Sequence, residues 1–342
     1  MERLLCSRSF FMKFSIYISV LFLYIVSIGQ AQSFEVDQLQ QLFRPRIKVD
    51  GRYTFDSPLQ DTTGLFNNKE ASMVFTFPIR TRISADVKID LSSLKLKDIL
   101  RNSVRFKASQ TLGMLRMNGR QLKLGYDSIP DRNTAGFTAG IMGLSLTRKY
   151  RVLFWSVVAN ISEEDKTIAQ MIPRASALLG QCHIRGIRRN YFYGVSLTYS
   201  DAYIIPIPFF GGSEPIGEKF VFNYTLPAQI NVQYRKDKKL LITAGVNMDG
   251  FRTGLRYGNG RVNLNYAAAM GYGSVRYKFS KNLMARVEGG YKFYQRLHYT
   301  NTDLHPQFYS LSSGPYVQCG FSLLFGRSVW EKIMDNLNFD VK

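Results

Sequence analysis

The chain has 342 residues, with 45 Lys or Arg against 25 Asp or Glu, a formal charge of +20 and only three Cys. So basic a chain raises nucleic acid as a partner, but the charges alternate along extended segments instead of forming a patch or stripe, which argues against it. No C-x-x-C pair or zinc-ligand spacing is present, so no metal or cofactor is predicted.

Residues 14–28, FSIYISVLFLYIVSI, form an apolar run with Lys13 before it and Gly29-Gln30-Ala31 after it. That is the layout of a cleavable secretory signal over residues 1–31, with cleavage between Ala31 and Gln32. The run is short for a membrane span, which takes about 20 residues. Met12-Lys13 opens the basic region directly and is an alternative start. No Cys lies at the cleavage site, which argues against a lipoprotein. Residues 32–45 then form a periplasmic lead-in, where Val36, Leu39, Leu42 and Phe43 have the spacing of a helical turn or two. Beyond residue 31 no apolar run has the length of a spanning helix. The exported chain is therefore a soluble β-protein or a membrane barrel, which needs no such run.

From residue 46 onward the pattern has a period of two. Ile47, Val49, Gly51, Tyr53 and Phe55 oppose Arg46, Lys48, Asp50, Arg52 and Thr54. Val104, Phe106, Ala108 and Leu112 oppose Arg105, Lys107, Ser109 and Thr111. Tyr191, Tyr193, Val195, Leu197 and Tyr199 oppose Phe192, Gly194, Ser196 and Thr198. In 283–293, LMARVEGGYKF, Leu283, Ala285, Val287, Gly289, Tyr291 and Phe293 oppose Met284, Arg286, Glu288, Gly290 and Lys292. Such alternation is the strand signature. It gives thirteen extended segments: 46–56, 72–88, 103–117, 120–127, 136–148, 151–162, 173–186, 190–202, 219–235, 240–257, 262–279, 283–296 and 315–325. Bacterial single-chain barrels use even numbers. A split of 72–88 at Pro78 makes fourteen; merging one weak segment makes twelve.

Tight turns are predicted at Asn118-Gly119, 148–150, 187–189, 236–239 and 280–282, and longer polar links at 127–135, 163–172, 203–218, 257–262 and 297–314. Short turns on one rim and long loops on the other are the mark of an outer-membrane barrel rather than a secreted sandwich. Abundant Tyr and Phe near strand ends fit aromatic girdles. The predicted fold is thus all-β: a transmembrane antiparallel β-barrel of 12 or 14 strands over 46–325. A short periplasmic amphipathic helix follows in 326–342, carried by Val329, Trp330, Ile333, Met334 and Leu337.

The last predicted strand holds Gln318-Cys319-Gly320-Phe321-Ser322-Leu323-Leu324-Phe325. The placing of Gln318, Gly320, Leu323 and Phe325 resembles the assembly signal in the final strand of outer-membrane barrels. PIPFFGG (206–212), LPAQINVQYRKDKKLLI (226–242) and SKNLMARVEGGYKFYQR (280–296) resemble a family of uncharacterised Gram-negative outer-membrane barrels, a domain of unknown function, over residues 190–325. The resemblance implies an outer-membrane location and an outer-membrane barrel, and no known activity.

Several residues are candidates for chemistry. On the inward faces defined by alternation stand Lys48, Arg52, Arg105, Lys107, Lys123, Arg276, Lys278, Arg286 and Lys292, opposed by Asp50 and Glu288. Such an excess predicts a basic, porin-like lumen that favours small anionic solutes. His298, Asp303 and His305 in HYTNTDLH resemble groups that activate water or serine, but no nucleophile is fixed by spacing, so no catalytic residue is assigned. His183 shares a face with Gln181 and Arg185 and is read as a lumen residue. Asp201 and Glu214 flank a Pro- and Gly-rich loop, 206–217. Cys182 and Cys319 are expected to face lipid as unpaired thiols, too far apart on the wall to bridge. The leading expectation is a pore or binding barrel for small polar solutes. The alternatives are an outer-membrane enzyme acting on lipid, lipopolysaccharide or peptide, and a structural or adhesive barrel. Expected partners are outer-membrane lipid, lipopolysaccharide and the barrel-assembly machinery, with no nucleic acid.

Overall fold

The computed structural model describes residues 45–60, 64–87, 104–125, 131–147, 151–164, 173–185, 189–200, 203–237, 239–257, 260–300 and 307–325. The signal region with Ala31 and Gln32, the lead-in up to residue 44, and the tail segment 326–342 lie outside the described residues.

Fifteen strands are present: β1 (Arg46–Pro58), β2 (Leu65–Val87), β3 (Val104–Gly125), β4 (Arg132–Thr147), β5 (Arg151–Glu163), β6 (Arg174–Ile184), β7 (Asn190–Ser200), β8 (Tyr203–Ile216), β9 (Phe220–Leu226), β10 (Gln229–Arg235), β11 (Leu240–Tyr257), β12 (Gly260–Lys278), β13 (Leu283–Thr300), β14 (Gln307–Leu311) and β15 (Gly314–Leu324). Each of β1 to β12 pairs antiparallel with the next, β12 with β13, β13 with both β14 and β15, and β15 with β1. β14 and β15 are two parts of one interrupted strand along β13. The wall is therefore a closed antiparallel barrel of fourteen strands.

The count of fourteen arises differently from the sequence reading. Pro78 does not split β2; the ladder with β3 shifts register between Pro78 and Arg80 and continues. A bulge accommodates a residue that cannot donate to the ladder. Asn118-Gly119 is not a turn, because both residues sit mid-strand, paired with Ser72 and Ala71 on one side and Gly136 and Ala135 on the other. Segment 219–235 is two strands that turn at Pro227-Ala228. The expected loop 206–217 is strand β8, paired with β7 and β9. It escaped the period-two pattern because YIIPIPFF is apolar on both faces.

The exterior carries the apolar set. On β15 burial alternates without a break: Tyr316, Gln318, Ser322 and Leu324 are covered, while Val317, Phe321 and Leu323 are exposed. Val287 on β13, 57% exposed, and Val157, Leu179, Val195, Ile230 and Val275 extend this apolar belt around the wall. Such a band on a closed sheet belongs to a barrel that sits in lipid. Outward aromatic pairs stand toward both ends, Phe220 with Tyr234 at 4.9 Å and Tyr53 with Phe55 at 4.8 Å. Gly320 faces inward, where a side chain would meet the Asp50 carboxylate at 2.2 Å.

The rims differ from the expected short-against-long order. On the rim where β1 begins and β15 ends (the terminal rim) the chain between β2 and β3, 88–103, is the longest link. On the far rim β7–β8, β9–β10 and β11–β12 are joined within two residues. Wall height also varies. β9 and β10 have 7 residues each and β11 has 18, which is ~23 Å against ~60 Å of strand. Above the β9–β10 hairpin, β11 keeps β12 on one side and has lost β10 on the other. It turns across the barrel and meets the far end of β5 in a parallel contact, Gly254 against Glu163.

The lumen as candidate functional site

That contact divides the interior in two. On the far side of the barrel β11, β12, β13, β14–β15 and β1 to β5 form a ring of nine strands, with β6 to β10 left outside it as a side lobe. A seam of polar groups holds the ring shut. Glu164 N donates to Gly254 O at 2.9 Å, Thr253 Oγ1 to Ser162 O at 3.1 Å, and Arg256 N to Glu164 Oε2 at 2.7 Å. Arg261 grips Glu163 through two bonds of 2.6 and 2.9 Å, and Arg132 donates both to Arg256 O at 2.8 Å and to Glu164. A Cβ at Gly254 would displace the Glu163 carboxylate that Arg261 holds at the seam.

A ring of about eight strands has an interior just wide enough for side chains to fill, and the nine-strand ring is filled. Phe66, Leu122, Leu264, Tyr266, Leu297 and Leu311 pack into one apolar cluster, with Phe66 stacked on Tyr266 at 5.0 Å from across the ring. Below it lies a charged layer. Lys292, fully buried, donates to Thr54 Oγ1 at 2.8 Å and Tyr266 Oη at 3.1 Å, and its ammonium faces the Tyr266 and Tyr316 rings. Tyr266 Oη donates to Gln295 Oε1 at 2.6 Å, and Gln295 Nε2 to Ser57 Oγ at 3.2 Å. Arg52 spans the lumen from β1 to Asp249 on β11 and also donates to Gln318 Oε1 at 2.8 and 3.0 Å. Glu70 receives Arg116 and Arg120, and Arg120 lies 4.1 Å over the Phe251 ring on the opposite wall. Groups on opposite walls touch, so the axis is closed at this level.

The predicted basic residues fall in several places. Lys48 and Arg52 point inward, each on a carboxylate: Lys48 to Asp50 at 2.9 Å, Arg52 to Asp249. Arg286, inward on β13, pairs with Glu288, which also accepts from Tyr316 Oη at 2.8 Å. Arg276 and Lys278 share the inward face of β12 with buried Tyr272 and Ser274. Lys123 alternates with Leu122 and Leu124, which pack inside, so it stands on the outer face. The side chains of Arg105 and Lys107 lie outside the described residues, but the inward position of Ala108 and Leu112 reverses the faces expected for that strand. Glu70, Asp249 and Glu163 escaped the sequence reading, since each lies in a stretch where alternation did not single out a partner.

Three further expectations are corrected. Cys182 and Cys319 are unpaired, but only Cys319 faces outward; Cys182 packs inside with Phe154, Phe192 and Phe209. Its strand is turned over because Leu178 and Cys182 find an apolar partner surface in the lumen. His183 accordingly lies outside, stacked on Tyr191 at 4.6 Å, while Tyr193 Oη donates to Gln181 Oε1 at 3.0 Å. His298 too is on the outer face, stacked on Phe308 at 4.1 Å; Asp303 and His305 lie outside the described residues, as does Asp201. Glu214 pairs with Arg189 at 2.6 Å on the terminal rim. Of the terminal octet, Gln318 and Gly320 face in, and Leu323 and Phe325 are exposed.

No family model matches this chain, and no curated protein does. Among solved structures it is similar to an outer membrane channel from Pseudomonas putida F1, at 8% identity, covering 83% of this chain and 96% of that one, TM-score 0.43. It is also similar to the Acinetobacter baumannii outer membrane protein Omp33, at 9% identity over 83% and 99% of the two chains, TM-score 0.35. A third is the beta domain of the Bordetella autotransporter Brka, at 6% identity over 82% and 100%, TM-score 0.35. Likeness at this level assigns no activity.

The side lobe has a different lining. From β8 across β9 and β10 to β12 it is amide-rich and buried: Ser213 Oγ donates to Asn223 Oδ1 at 2.7 Å, Asn223 Nδ2 to Asn231 Oδ1 at 3.1 Å, and Gln229 Nε2 to Tyr272 Oη at 2.6 Å. On β6 to β8 it mixes hydroxyls with aliphatic side chains. Ser176, Leu178, Ser196, Thr198, Ile205 and Ile207 face inward there and remain partly exposed, in contrast to the fully covered interior of the ring.

Proposed function

We propose that this protein is an outer-membrane barrel of a Gram-negative cell that binds or passes small solutes, and that its solute space is the side lobe under β6 to β10. The observation that carries the reading is the β5–β11 contact. It leaves a ring too narrow to hold anything beyond its own side chains, and it leaves the lobe beside it lined by partly exposed inward groups. The apolar outer belt supports the membrane setting. The inward basic groups Lys48, Arg52, Arg116, Arg120, Arg276, Lys278, Arg286 and Lys292 stand on strands of the ring and not on β6 to β10, so we infer weak charge selectivity in the lobe.

Two measurements test this. Proteoliposomes carrying the barrel should swell in arabinose, and the swelling should fall when a bulky thiol reagent is attached to a Ser196→Cys variant. In planar bilayers under a salt gradient the reversal potential should lie near zero. Absence of swelling with no effect of the reagent refutes the solute reading; a strong anion preference refutes the charge argument alone.

A further inference from the structure

Strand β8 begins with Tyr203-Ile204-Ile205-Pro206-Ile207-Pro208-Phe209-Phe210. Ile204 and Phe210, 67% and 55% exposed, belong to the outer belt. Ile205 and Ile207 lie on the opposite face, in register with Thr198 and Ser196 of β7, and Ser196 pairs in turn with Leu178 of β6. A strand between lipid and a watery lumen keeps polar groups on its inner face. Here the inner face is apolar and only partly covered, and burying it from water is favourable.

The floor below this patch is a packed phenylalanine cluster. Phe154, Phe192 and Phe209 form a triangle with centroids 6.2 to 6.4 Å apart. Each ring lies down on a glycine of the neighbouring strand: Phe154 on Gly180, Phe209 on Gly194 and Phe192 on Gly211, where a Cβ would meet the ring at 2.4 to 2.5 Å. The rings are buried, packed with Leu112 of β3 and Met142 of β4, and close the lobe from below. The roof is the crossing part of β11. Met248 shares the face of Ile242 and Val246, which are exposed to lipid lower down, yet Met248 is 6% exposed. Beside the roof, β9 pairs with β8 only from Phe210 onward, and Pro206 and Pro208 sit on the stretch above. Proline has no N–H to offer a further strand and is confined to such edges. Among the described residues, that leaves a notch above the β9–β10 hairpin, between the lobe and the apolar belt.

We infer that the lobe is a binding site for small, uncharged apolar molecules such as aromatic or aliphatic hydrocarbons, held against Leu178, Ile205 and Ile207 above the phenylalanine floor. Concave sites lined by apolar groups with a few polar ones (here Ser196 and Thr198) are the usual form of small-molecule pockets. The inference rests on the side lobe being the solute space, and it names the solute class.

The test uses the full-length barrel in proteoliposomes, with Cys182→Ser, Cys319→Ser and Ser196→Cys, and naphthalene as the probe. Naphthalene should slow labelling of the thiol at 196 by N-phenylmaleimide several-fold, in a saturable way. Adding Ile207→Asp should abolish the protection, and a Leu197→Cys thiol on the outer face should show none. No protection at 196 in protein that keeps its heat-modifiable gel mobility overturns the inference. If arabinose swelling persists in that case, only the apolar class falls; if swelling is absent too, the solute reading falls with it.

Discussion

The two halves of the interior are made from the same wall and come out opposite. In the nine-strand ring the inward side chains of β1, β2, β12 and β13 cross to one another, so Phe66, Tyr266, Lys292 and Gln295 are all but sealed. In the side lobe Ser176, Leu178, Ser196, Thr198, Ile205 and Ile207 keep part of their surface. Strand count explains the difference. Interior width grows with the number of strands, so the nine strands that the seam draws together pack solid, while β6 to β10 bow away from that packing. The contact of Gly254 with Glu163 sets which number applies at a given height. A barrel's openness is thus decided by one pairing far from its centre.

The ring is broken most severely at its buried charges. Asp249→Ala leaves Arg52 without its carboxylate inside the ring, which should cost about 3–5 kcal/mol, the range for an uncompensated buried charge. Urea titration of the folded barrel in liposomes measures it, and wild-type stability in the variant would show the pair to be idle. The belt comes next. Val287→Arg places a charge in hydrocarbon at a cost of about 2–4 kcal/mol near the midplane. Thr198→Lys, inside the lobe, should stay within about 0.5 kcal/mol, as substitutions on uncrowded surface do. Equal losses for the two would mean that the lobe is as closed as the ring. Gly254→Ala should cost about 1–3 kcal/mol through crowding at the seam, and should raise single-channel conductance as β11 swings away from β5. An unchanged conductance would place the axial barrier elsewhere.

The smallest effect is expected outside the wall, in the β10–β11 turn. Asp237 accepts the N–H groups of Leu240, at 2.7 Å, and Lys239, at 2.6 Å, and these bonds hold its carboxyl below the usual carboxylate range. A depressed pKa contributes stability that is present above the unfolded value and is lost as pH falls through the folded one. Asp237→Asn should therefore flatten the acid limb of the stability profile slightly by lowering stability at neutral pH, and leave low pH nearly unchanged. A pH series of the same urea titrations checks this.

Much of the wall was legible because one of its solvents is lipid. On β13 and β15 every second residue meets hydrocarbon, so LMARVEGGYKF and the terminal octet announce their faces directly. Legibility failed where the inner face is also apolar. β8 was hidden because Ile205, Ile207 and Phe209 do not contrast with Ile204 and Phe210. β6 was read inside out because Leu178 and Cys182 resemble a lipid face until Phe192 and Phe209 are seen beside them. Asn118-Gly119 carries strong turn chemistry, yet ladders on both sides hold it extended. The acidic partners were invisible for a separate reason: Asp249 meets Arg52 only across the lumen, 197 positions along the chain.

The residue pattern by itself pointed to an antiparallel barrel with an apolar exterior, because period-two alternation from residue 46 onward, with no apolar run of spanning length beyond residue 31, leaves few other ways to satisfy backbone groups in a membrane. What it could not determine is the shape of the interior. Seven-residue strands β9 and β10 strip β11 of its neighbour, and the freed edge finds β5 instead. Whether a given inward side chain is packed, paired or open then depends on which strand stands opposite. That is a property of closure in three dimensions, and no local pattern encodes it.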